Sequence, residues 1–244
     1  MTTKTRNKQY RRLALSPYPI VIGTFIERPN RFIAQVVLEN GEKTIAHVPN
    51  TGRLRELLVT GVAIKMAYNP SPTRKTDYTL LAVLYDGIWV CIHSVFANAI
   101  AAEYVGGLPG VEALKREVTY GNSRFDLGFN YYGQPALFEV KSANLVKDGI
   151  AMFPDAPTTR GSKHLCELMA AKKEGFYTGV LFVVQRGDAR FFTPNIETDS
   201  TFAQHLARCR DAGMDIRALS CHIDGDTLLI DTEIPVCLGG CRTK

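Results

Sequence analysis

The stretch that most constrains the fold is residues 117–141, EVTYGNSRFDLGFNYYGQPALFEVK, and it predicts a β-hairpin. Two segments rich in Val, Tyr, Phe and Leu flank the turn-like sequence YYGQP. Apolar and polar residues alternate in each arm, so Phe125, Leu127 and Phe129 are expected on one face and Asp126 on the other. Such alternation is typical of a sheet that is buried on one side.

The register of this hairpin follows from where its loop is centred. With the loop centred on Tyr132–Gly133, Asp126 is expected opposite Glu139, and the apolar faces of the two arms coincide. Lys141 then shares a face with both carboxylates. Pro135 lacks the N–H that a strand ladder needs, so we expect it in the loop rather than in the strand.

The expected cluster of Asp126, Glu139 and Lys141 has a chemical use. Two carboxylates a cross-strand distance apart can hold Mg²⁺ or Mn²⁺, which prefer oxygen ligands. A Lys two residues after the Glu can orient a water molecule, or help to deprotonate it, for attack on a phosphodiester. The alternative is a surface ion-pair cluster that contributes little to stability.

Composition limits the class of protein. The chain has 244 residues, of which 45% are hydrophobic and 22% charged, as in an ordinary globular protein with one large or two small domains. No apolar run approaches the length of a membrane span, and the N-terminus lacks the apolar core of a secretory signal, so we expect a cytoplasmic protein with no membrane partner. The six cysteines show no CxxC spacing, which argues against a structural zinc site.

The charge balance permits nucleic-acid binding. Lys and Arg outnumber Asp and Glu by 29 to 24, a formal charge of +5. The first dozen residues contain five cations and no acid: Lys4, Arg6, Lys8, Arg11 and Arg12. We assign residues 1–16 to a basic tail, which is either a disordered arm that touches phosphates or a solvated segment.

The first half of the chain, residues 17–92, predicts a small β-barrel. Short strand-like segments separated by turns follow one another from residue 20 to residue 92, as in a partly open five-stranded barrel of the OB type. Barrels of this type often bind oligonucleotides.

One segment of the predicted barrel, HVPNTGRLRELL, stands out. Leu54, Leu57 and Leu58 have helical spacing and predict a short helix. Arg53 and Arg55 then lie beside exposed amides at its start, where a phosphate can bind. A structural turn with solvated arginines is the alternative.

The second half, residues 93–236, predicts an α/β domain, and residues 237–244 a tail. Helices are expected over 94–104, 158–173 and 199–212, and strands over 177–184 and 216–221, so the hairpin continues into a mixed sheet.

The helix over 158–173 has two faces. Its core stripe comprises Leu165, Leu168 and Met169. The opposite, polar side comprises Arg160, Lys163, His164 and Glu167. Such a face is normally only solvated, but here its cations can meet phosphates near the predicted metal, and His164 can act as an acid or base.

Four long blocks carry a resemblance to a known family: HVPNTGRL, EVTYGNSRFD, FEVKSANLV and FPDAPTTRGSKHLCEL. Over almost its whole length the chain resembles the sugar fermentation stimulation protein A family. The resemblance implies an N-terminal OB-like barrel followed by a mixed α/β domain of the PD-(D/E)xK, or restriction-endonuclease-like, fold. It also implies DNA binding.

The resemblance also implies roles for individual residues. The nuclease-like motif falls on Asp126, Glu139 and Lys141 as catalytic residues, with Asp126, Glu139 and the preceding acid Glu117 as metal ligands for Mg²⁺ or Mn²⁺. The residues expected to contact nucleic acid are Arg53, Arg55, Arg124, Arg160, Lys163 and His164. The predicted function is that of a DNA-binding protein with a nuclease-like metal site. The alternatives are an active Mg²⁺-dependent DNA nuclease and an RNA-binding OB module without catalysis.

Overall fold

A computed structural model describes residues 12–239 of the chain. The first four basic residues of the predicted N-terminal tail, up to Arg11, lie outside this range. Within it, no helix combines the length and the hydropathy that a membrane crossing requires.

The N-terminal part is the predicted barrel. Its strands are β2 (Ile20–Asn30), β3 (Ile33–Leu38), β4 (Lys43–His47), β5 (Ala63–Tyr68), β6 (Tyr78–Tyr85) and β7 (Ile88–Cys91). Neighbours run antiparallel in the order β4-β3-β2-β5-β6-β7. A short parallel pairing of β4 with β6, through Ala46↔Tyr78 and His47↔Thr79, closes the five strands β2 to β6. The barrel is therefore closed rather than partly open as predicted.

The prediction of a short helix at Leu54, Leu57 and Leu58 is wrong. These residues form a turn, and Leu54 has a φ of 50°, in the left-handed region that a right-handed helix excludes. Leu54 and Leu57 are nevertheless buried in the barrel core. The apolar spacing at these positions thus arises from filling one end of the barrel and not from helical periodicity.

The second part of the chain is built on a seven-stranded mixed sheet. In spatial order its strands are β1 (Leu13–Ala14), β16 (Thr227–Ile234), β15 (Asp215–Asp224), β13 (Tyr177–Val184), β10 (Gln134–Ala143), β9 (Ser123–Tyr131) and β8 (Val111–Tyr120). The three central strands β10, β13 and β15 are mutually parallel, and the outer strands are antiparallel to their neighbours. This confirms the mixed sheet that the sequence predicted.

Both predicted tails are partly incorporated into the fold. Leu13 and Ala14 of β1 pair with β16, and Leu15 is buried, so residues 13–15 do not belong to a free basic arm. At the other end, the Cys237 N–H donates to the carbonyl of Phe192 and Leu238 packs against the core. A small sheet of β11 (Leu145–Lys147), β12 (Ile150–Phe153) and β14 (Phe191–Pro194) was not predicted.

In the part of the chain that the structure describes, three helices cover the two faces of the large sheet. They are α1 (Val95–Gly106), α2 (Thr159–Lys173) and α3 (Ser200–Asp211), within a few residues of the predicted bounds. The side chain of Thr158 accepts from the Gly161 N–H and begins α2, an N-cap that the sequence pattern favours. Helix α1 shares one core cluster with Phe138 and Val140, whereas α2 and α3 share the other with Leu137 and Phe182. Alternate residues of β10 therefore face opposite helices.

The hairpin prediction needs three corrections. Residues 117–120 belong to β8, so the stretch contains three strands rather than two. Phe125 lies in the cluster beneath α2, whereas Leu127 and Phe129 lie in the cluster beneath α1, so the three do not share a face. Pro135 lies within β10, opposite Asn130, one residue before the pairing with β13 begins.

The barrel and the sheet are joined by a buried lysine. Lys65 of β5 donates to the carbonyl of Gly225 at 2.5 Å and to Asp226 Oδ1 at 2.6 Å, in the turn between β15 and β16. Its ammonium also lies 5.1 Å from the ring centroid of Trp89. The charge is therefore satisfied where the two parts of the chain meet.

Close packing in the middle of the sheet predicts a large effect for Gly179→Ala. A Cβ at this position would lie 2.5 Å from the ring of Phe138 and 2.7 Å from the carbonyl oxygen of Asp215. Both neighbours are fixed in the core, so we expect a loss of about 1–3 kcal/mol in the free energy of unfolding, measured with urea. Gly106→Ala, where the nearest atom is 3.4 Å away, is the matched control and should not destabilise the protein. Equal stability of the two variants would contradict this account of the sheet.

Candidate functional site

Glu139 is the centre of the candidate site. It lies on β10, on the face towards α2, and only 3% of the residue is exposed. Its Oε1 accepts hydrogen bonds from Lys141 Nζ at 2.5 Å and from His164 Nδ1 at 2.6 Å. Its Oε2 is buried and has no hydrogen-bond partner among residues 12–239. Oε1 thus accepts two hydrogen bonds, and Oε2 is left available to a ligand.

Asp126 is held at the point where β9 and β10 separate. The predicted register is confirmed from Tyr131↔Gln134 to Leu127↔Phe138, where the ladder ends, one residue before Asp126. Beyond it, Asp126 Oδ2 accepts from the Val140 N–H at 2.8 Å, and Oδ1 accepts from Asn98 Nδ2 of α1 at 2.8 Å. A side-chain bond therefore replaces the next rung of the ladder and fixes the carboxylate.

The two carboxylates influence each other's ionisation. Burial raises the pKa of Asp126, and the nearby charge of Glu139 raises it further. Burial alone would raise the pKa of Glu139 too, but the bonds from His164 and Lys141 outweigh it and hold that pKa below its ordinary value. Glu139 therefore stays ionised, while Asp126 is the carboxylate that resists ionisation beside it. A cation placed between them would relieve this repulsion.

The oxygen atoms present fit a hard divalent cation. A buried carboxylate oxygen without a partner is costly unless something binds it, and Glu139 Oε2 is such an atom next to a second carboxylate. No group of three or more His, Cys, Asp and Glu side chains suited to a metal occurs in the described residues. The protein thus offers two carboxylates, and Mg²⁺ commonly binds through one or two and keeps its waters.

Glu117, the third predicted ligand, is not brought together with this pair. It lies on β8 with a φ of 59°, and its Oε2 is 2.7 Å from Arg124 Nε. The side chain is 45% exposed. What the structure shows for Glu117 is an ion pair that orients Arg124.

His164 does not lie on the polar face of α2, as the helical spacing predicted. The residue is 4% exposed and faces Glu139, with Phe125 edge-on at 5.7 Å between ring centroids. Arg160 Nε makes a long contact of 3.5 Å to His164 Nε2. Because an ionised carboxylate oxygen only accepts hydrogen bonds, the contact with Glu139 requires a proton on Nδ1, from which His164 donates. What the structure shows for His164 is a hydrogen bond that holds the Glu139 carboxylate.

Three of the predicted cations surround one cleft. Arg124, Arg160 and Lys163 line a depression of about 290 Å³ together with Asn122, Ser123, Thr159 and His164. No acidic side chain is among these lining residues, although Lys163 lies 3.7 Å from Glu167 Oε1. His164 joins this cleft to the carboxylate pair, since it contacts Arg160 on one side and Glu139 on the other. The cationic surface and the acidic pair are therefore neighbours.

Arg53 and Arg55 lie elsewhere, on the turn that replaces the predicted helix. Both are exposed. The Arg53 N–H is not available to a phosphate, because it donates to Asp155 Oδ2 at 2.7 Å. Arg53 lines a different, larger cleft of about 670 Å³ between the barrel and residues 153–158, with Arg28 and Arg31. Sequence reasoning missed Asn98 and Asp155, because their partners lie 28 and 102 residues away along the chain.

Comparison with protein families now identifies the chain. The model described as "Sugar fermentation stimulation protein RE domain" matches residues 91–227. The model described as "SfsA N-terminal OB domain" matches residues 26–92. The chain therefore belongs to the sugar fermentation stimulation protein family, as its sequence blocks predicted, and its barrel is an OB domain.

Individual relatives agree with this assignment. A sugar fermentation stimulation protein homolog of Clostridium tetani is 42% identical over 220 residues, 88% of this chain and 95% of the relative. A homolog of Desulforamulus reducens is 40% identical, covering 89% and 92%. The structure of Pyrococcus furiosus SfsA in complex with Ca²⁺ has a TM-score of 0.82 and 28% identity, covering 92% of this chain and 99% of that one.

The contact between His164 and Glu139 predicts strong coupling in a double-mutant cycle. His164→Phe removes a donor from a buried, ionised carboxylate, and we expect a loss of about 1–3 kcal/mol in unfolding free energy. Glu139→Gln made in the His164→Phe background should cost less than in the wild type, because the contact with His164 is already lost there and only the pairing with Lys141 remains to be removed. Urea unfolding of the four proteins measures this. Additive effects would mean that the two side chains do not depend on each other.

Proposed function

We propose that this protein binds DNA and holds a divalent metal ion, Mg²⁺ or Mn²⁺, at Asp126 and Glu139, in a site of the PD-(D/E)xK nuclease type. The observation that carries this proposal is the buried Oε2 of Glu139, which has no hydrogen-bond partner in the described part of the chain and has Asp126 as a neighbour. Lys141 lies two residues further along the same strand and contacts the other oxygen of Glu139. The two acids of the motif, Asp126 and Glu139, and its lysine, Lys141, thus lie in one small region.

The Ca²⁺ complex of the Pyrococcus furiosus relative supports a divalent cation here. That protein shares 28% identity with this chain over 92% of its length. Ca²⁺, Mg²⁺ and Mn²⁺ are all bound by oxygen ligands, so the same carboxylates serve each of them. Glu117 has no part in this arrangement, because its carboxylate is paired with Arg124.

DNA is the partner that best fits the surroundings of the carboxylates. Arg124, Arg160 and Lys163 border the cleft that His164 connects to Glu139, and phosphate oxygens are the natural ligands of such a group of cations. A phosphodiester bound by Arg160 and Lys163 lies next to the metal ligands. The acidic pair on its own would repel the backbone of DNA, and the cations offset that repulsion.

Hydrolysis of the phosphodiester is a second candidate function, and Lys141 is the observation that favours it. When bound, the cation supplies Lewis-acid polarisation of a phosphate oxygen and acidification of a water molecule. The Lys141 side chain is 14% exposed and its Nζ is paired with Glu139 Oε1, which supports a role in orienting a water molecule near the carboxylates. Its charge also stabilises negative charge that develops on the phosphate.

Metal binding is tested with Ca²⁺ as the probe in isothermal titration calorimetry. Asp126→Asn and Glu139→Gln should each weaken Ca²⁺ binding at least tenfold, because each removes one of two charged ligands. Glu117→Gln is the matched control and should bind Ca²⁺ as the wild type does. Unchanged affinity in Asp126→Asn would refute the proposed metal site, and far-UV circular dichroism checks that each variant is folded.

A cleavage assay decides whether the site hydrolyses DNA. Nicked, single-stranded, branched and duplex DNA are incubated with Mg²⁺ or Mn²⁺ and with wild type, Asp126→Asn or Lys141→Met. Cleavage by the wild type that both variants lose supports hydrolysis. Equal background in all three proteins would refute hydrolysis and leave metal and DNA binding standing.

DNA binding through the cationic cleft predicts a defined salt dependence. For duplex DNA, log affinity falls with log salt by roughly 0.9 per phosphate contact, so Arg160→Ala combined with Lys163→Ala should reduce the slope by roughly 2. Lys172→Ala with Lys173→Ala, at the other end of α2, removes the same charge and is the control. Fluorescence anisotropy in EDTA measures both. If the control variant reduced the salt slope as much as the cleft variant does, DNA binding through the cationic cleft would be contradicted.

A further inference from the structure

The cleft of about 670 Å³ between the barrel and residues 153–158, here named the junction cleft, has no part in the function proposed above. One wall comes from the barrel, from the end of β2 and from the turn after β4. The other wall is the segment between β12 and α2. The polar residues that line it include Arg28, Arg31, Thr51, Arg53, Asp155 and Thr158. Cavities of this size between two parts of a fold are common sites for small molecules.

The junction cleft carries a net positive charge. Its lining residues include three arginines and a single carboxylate, that of Asp155, which leaves a formal charge of +2. None of these arginines is in a salt bridge among residues 12–239. Thr158, the N-cap of α2, lines the same cleft, so the positive end of the helix dipole adds to this charge. The cleft is therefore suited to a small dianion.

Arg28 shows that this charge is built into the fold. Its Nε is buried and has no hydrogen-bond partner in the described part of the chain. Burial lowers the pKa of Arg28, and although Asp155 raises that pKa, the charge of Arg31 lowers it further. A bound anion would offset the repulsion between the two arginines. The other nitrogens of Arg28 donate to neutral acceptors at 2.5–3.1 Å, the carbonyls of Arg31, Asn50, Gly52 and Arg53.

Arg31 and Arg53 supply the guanidinium groups that can meet a ligand. Both residues are exposed. Their backbones are held in place, since the Arg31 carbonyl accepts from Arg28 at 2.5 Å and the Arg53 N–H donates to Asp155 Oδ2 at 2.7 Å. The side chains take no part in these bonds. Because the guanidinium fork matches the oxygens of a phosphate, the two side chains are suited to bind one phosphate group between them.

The junction cleft continues into a smaller chamber of about 150 Å³. The chamber is also lined by Ser94 and Ser142, whose hydroxyls donate to the Pro49 carbonyl at 2.8 Å and to Gln185 Oε1 at 2.6 Å. Since these hydrogens are used, the two hydroxyl oxygens can only accept from a ligand. The chamber thus favours the hydroxyl groups of a ligand and disfavours a second anion. The cleft and the chamber share Thr51, Gly52, Phe153 and Asp155.

We propose that the junction cleft binds the phosphate monoester of a small hydroxyl-bearing molecule, with its phosphate at Arg31 and Arg53 and its hydroxyl groups in the chamber. A phosphate monoester has a charge of about −1.5 to −2 at pH 7, which matches the charge of the cleft. A phosphodiester of DNA has a single charge, and an interior deoxynucleotide has no free hydroxyl group for the chamber. This site requires neither the metal ion nor the DNA binding proposed above.

Ribose 5-phosphate is the probe, in isothermal titration calorimetry with EDTA present. Arg53→Gln should weaken its binding at least tenfold, because a charge-assisted hydrogen bond to the phosphate is lost. Arg55→Gln removes the same charge from the same turn, outside the lining of the cleft, and should bind as the wild type does. Far-UV circular dichroism checks that both variants are folded. No binding to the wild type, or equal weakening in the two variants, would overturn the inference.

The two ends of the ligand are tested separately. Ribose and inorganic phosphate should each bind at least tenfold more weakly than ribose 5-phosphate, because each occupies only one part of the site. Ser142→Ala should weaken ribose 5-phosphate about fivefold, as expected for one neutral hydrogen bond, and leave the binding of inorganic phosphate unchanged. Inorganic phosphate that bound as tightly as ribose 5-phosphate would refute a site for an ester.

Two further ligands identify the source of the phosphate. AMP that binds through Arg53 more tightly than ribose 5-phosphate supports a nucleotide, and weaker binding supports a sugar phosphate. A short DNA strand with a 5′-phosphate that binds through Arg53 more tightly than either would overturn the assignment to a free molecule. Asp126→Asn should bind ribose 5-phosphate as the wild type does, so failure of the metal site and failure of this site are distinguishable.

Discussion

The interaction on which the site depends is the burial of one ionised carboxylate. Removing a carboxylate from water costs several kcal/mol unless charged partners and hydrogen bonds compensate. Glu139 receives both of its donors on Oε1, from Lys141 of its own strand and from His164 of α2. The neighbouring helix is therefore fixed to the strand by this charge. Oε2, which receives no hydrogen bond from residues 12–239, is the part of the carboxylate that a cation would complete.

The second carboxylate reaches the first because the sheet is interrupted. If the ladder between β9 and β10 continued, the Val140 N–H would be positioned by strand pairing alone. Instead that N–H is taken by the side chain of Asp126, and Asn98 of α1 supplies a second donor. Helices on both faces thus contribute to one site. Helix α2 contributes His164, which donates to Glu139, and α1 contributes Asn98, which donates to Asp126. A site made in this way requires the whole α/β layer to be folded.

The sequence predicted what depends on local alternation and could not predict what depends on contacts across the fold. The register of β9 and β10 was predicted because apolar faces must coincide, and the ladder follows it up to Leu127↔Phe138. The alternation of apolar and polar residues did not predict that Phe125 and Leu127 face opposite sides of the sheet. Both residues are apolar, and each of the two core clusters can bury an apolar side chain. The spacing of His164 matched that of Arg160 and Lys163, so it was predicted on the polar face, whereas the residue is 4% exposed and contacts Glu139. Arg53 was expected to offer a free amide, but Asp155, 102 residues away, uses it.

The proposed DNA surface and the proposed metal site are joined by one side chain. His164 of α2 contacts Arg160 Nε at 3.5 Å on one side and Glu139 Oε1 at 2.6 Å on the other. The cleft of Arg124, Arg160 and Lys163 has no acidic lining residue, so its charge would suit a phosphate backbone. A phosphate bound in that cleft would therefore be connected, through a single buried ring, to the carboxylate that a cation would complete.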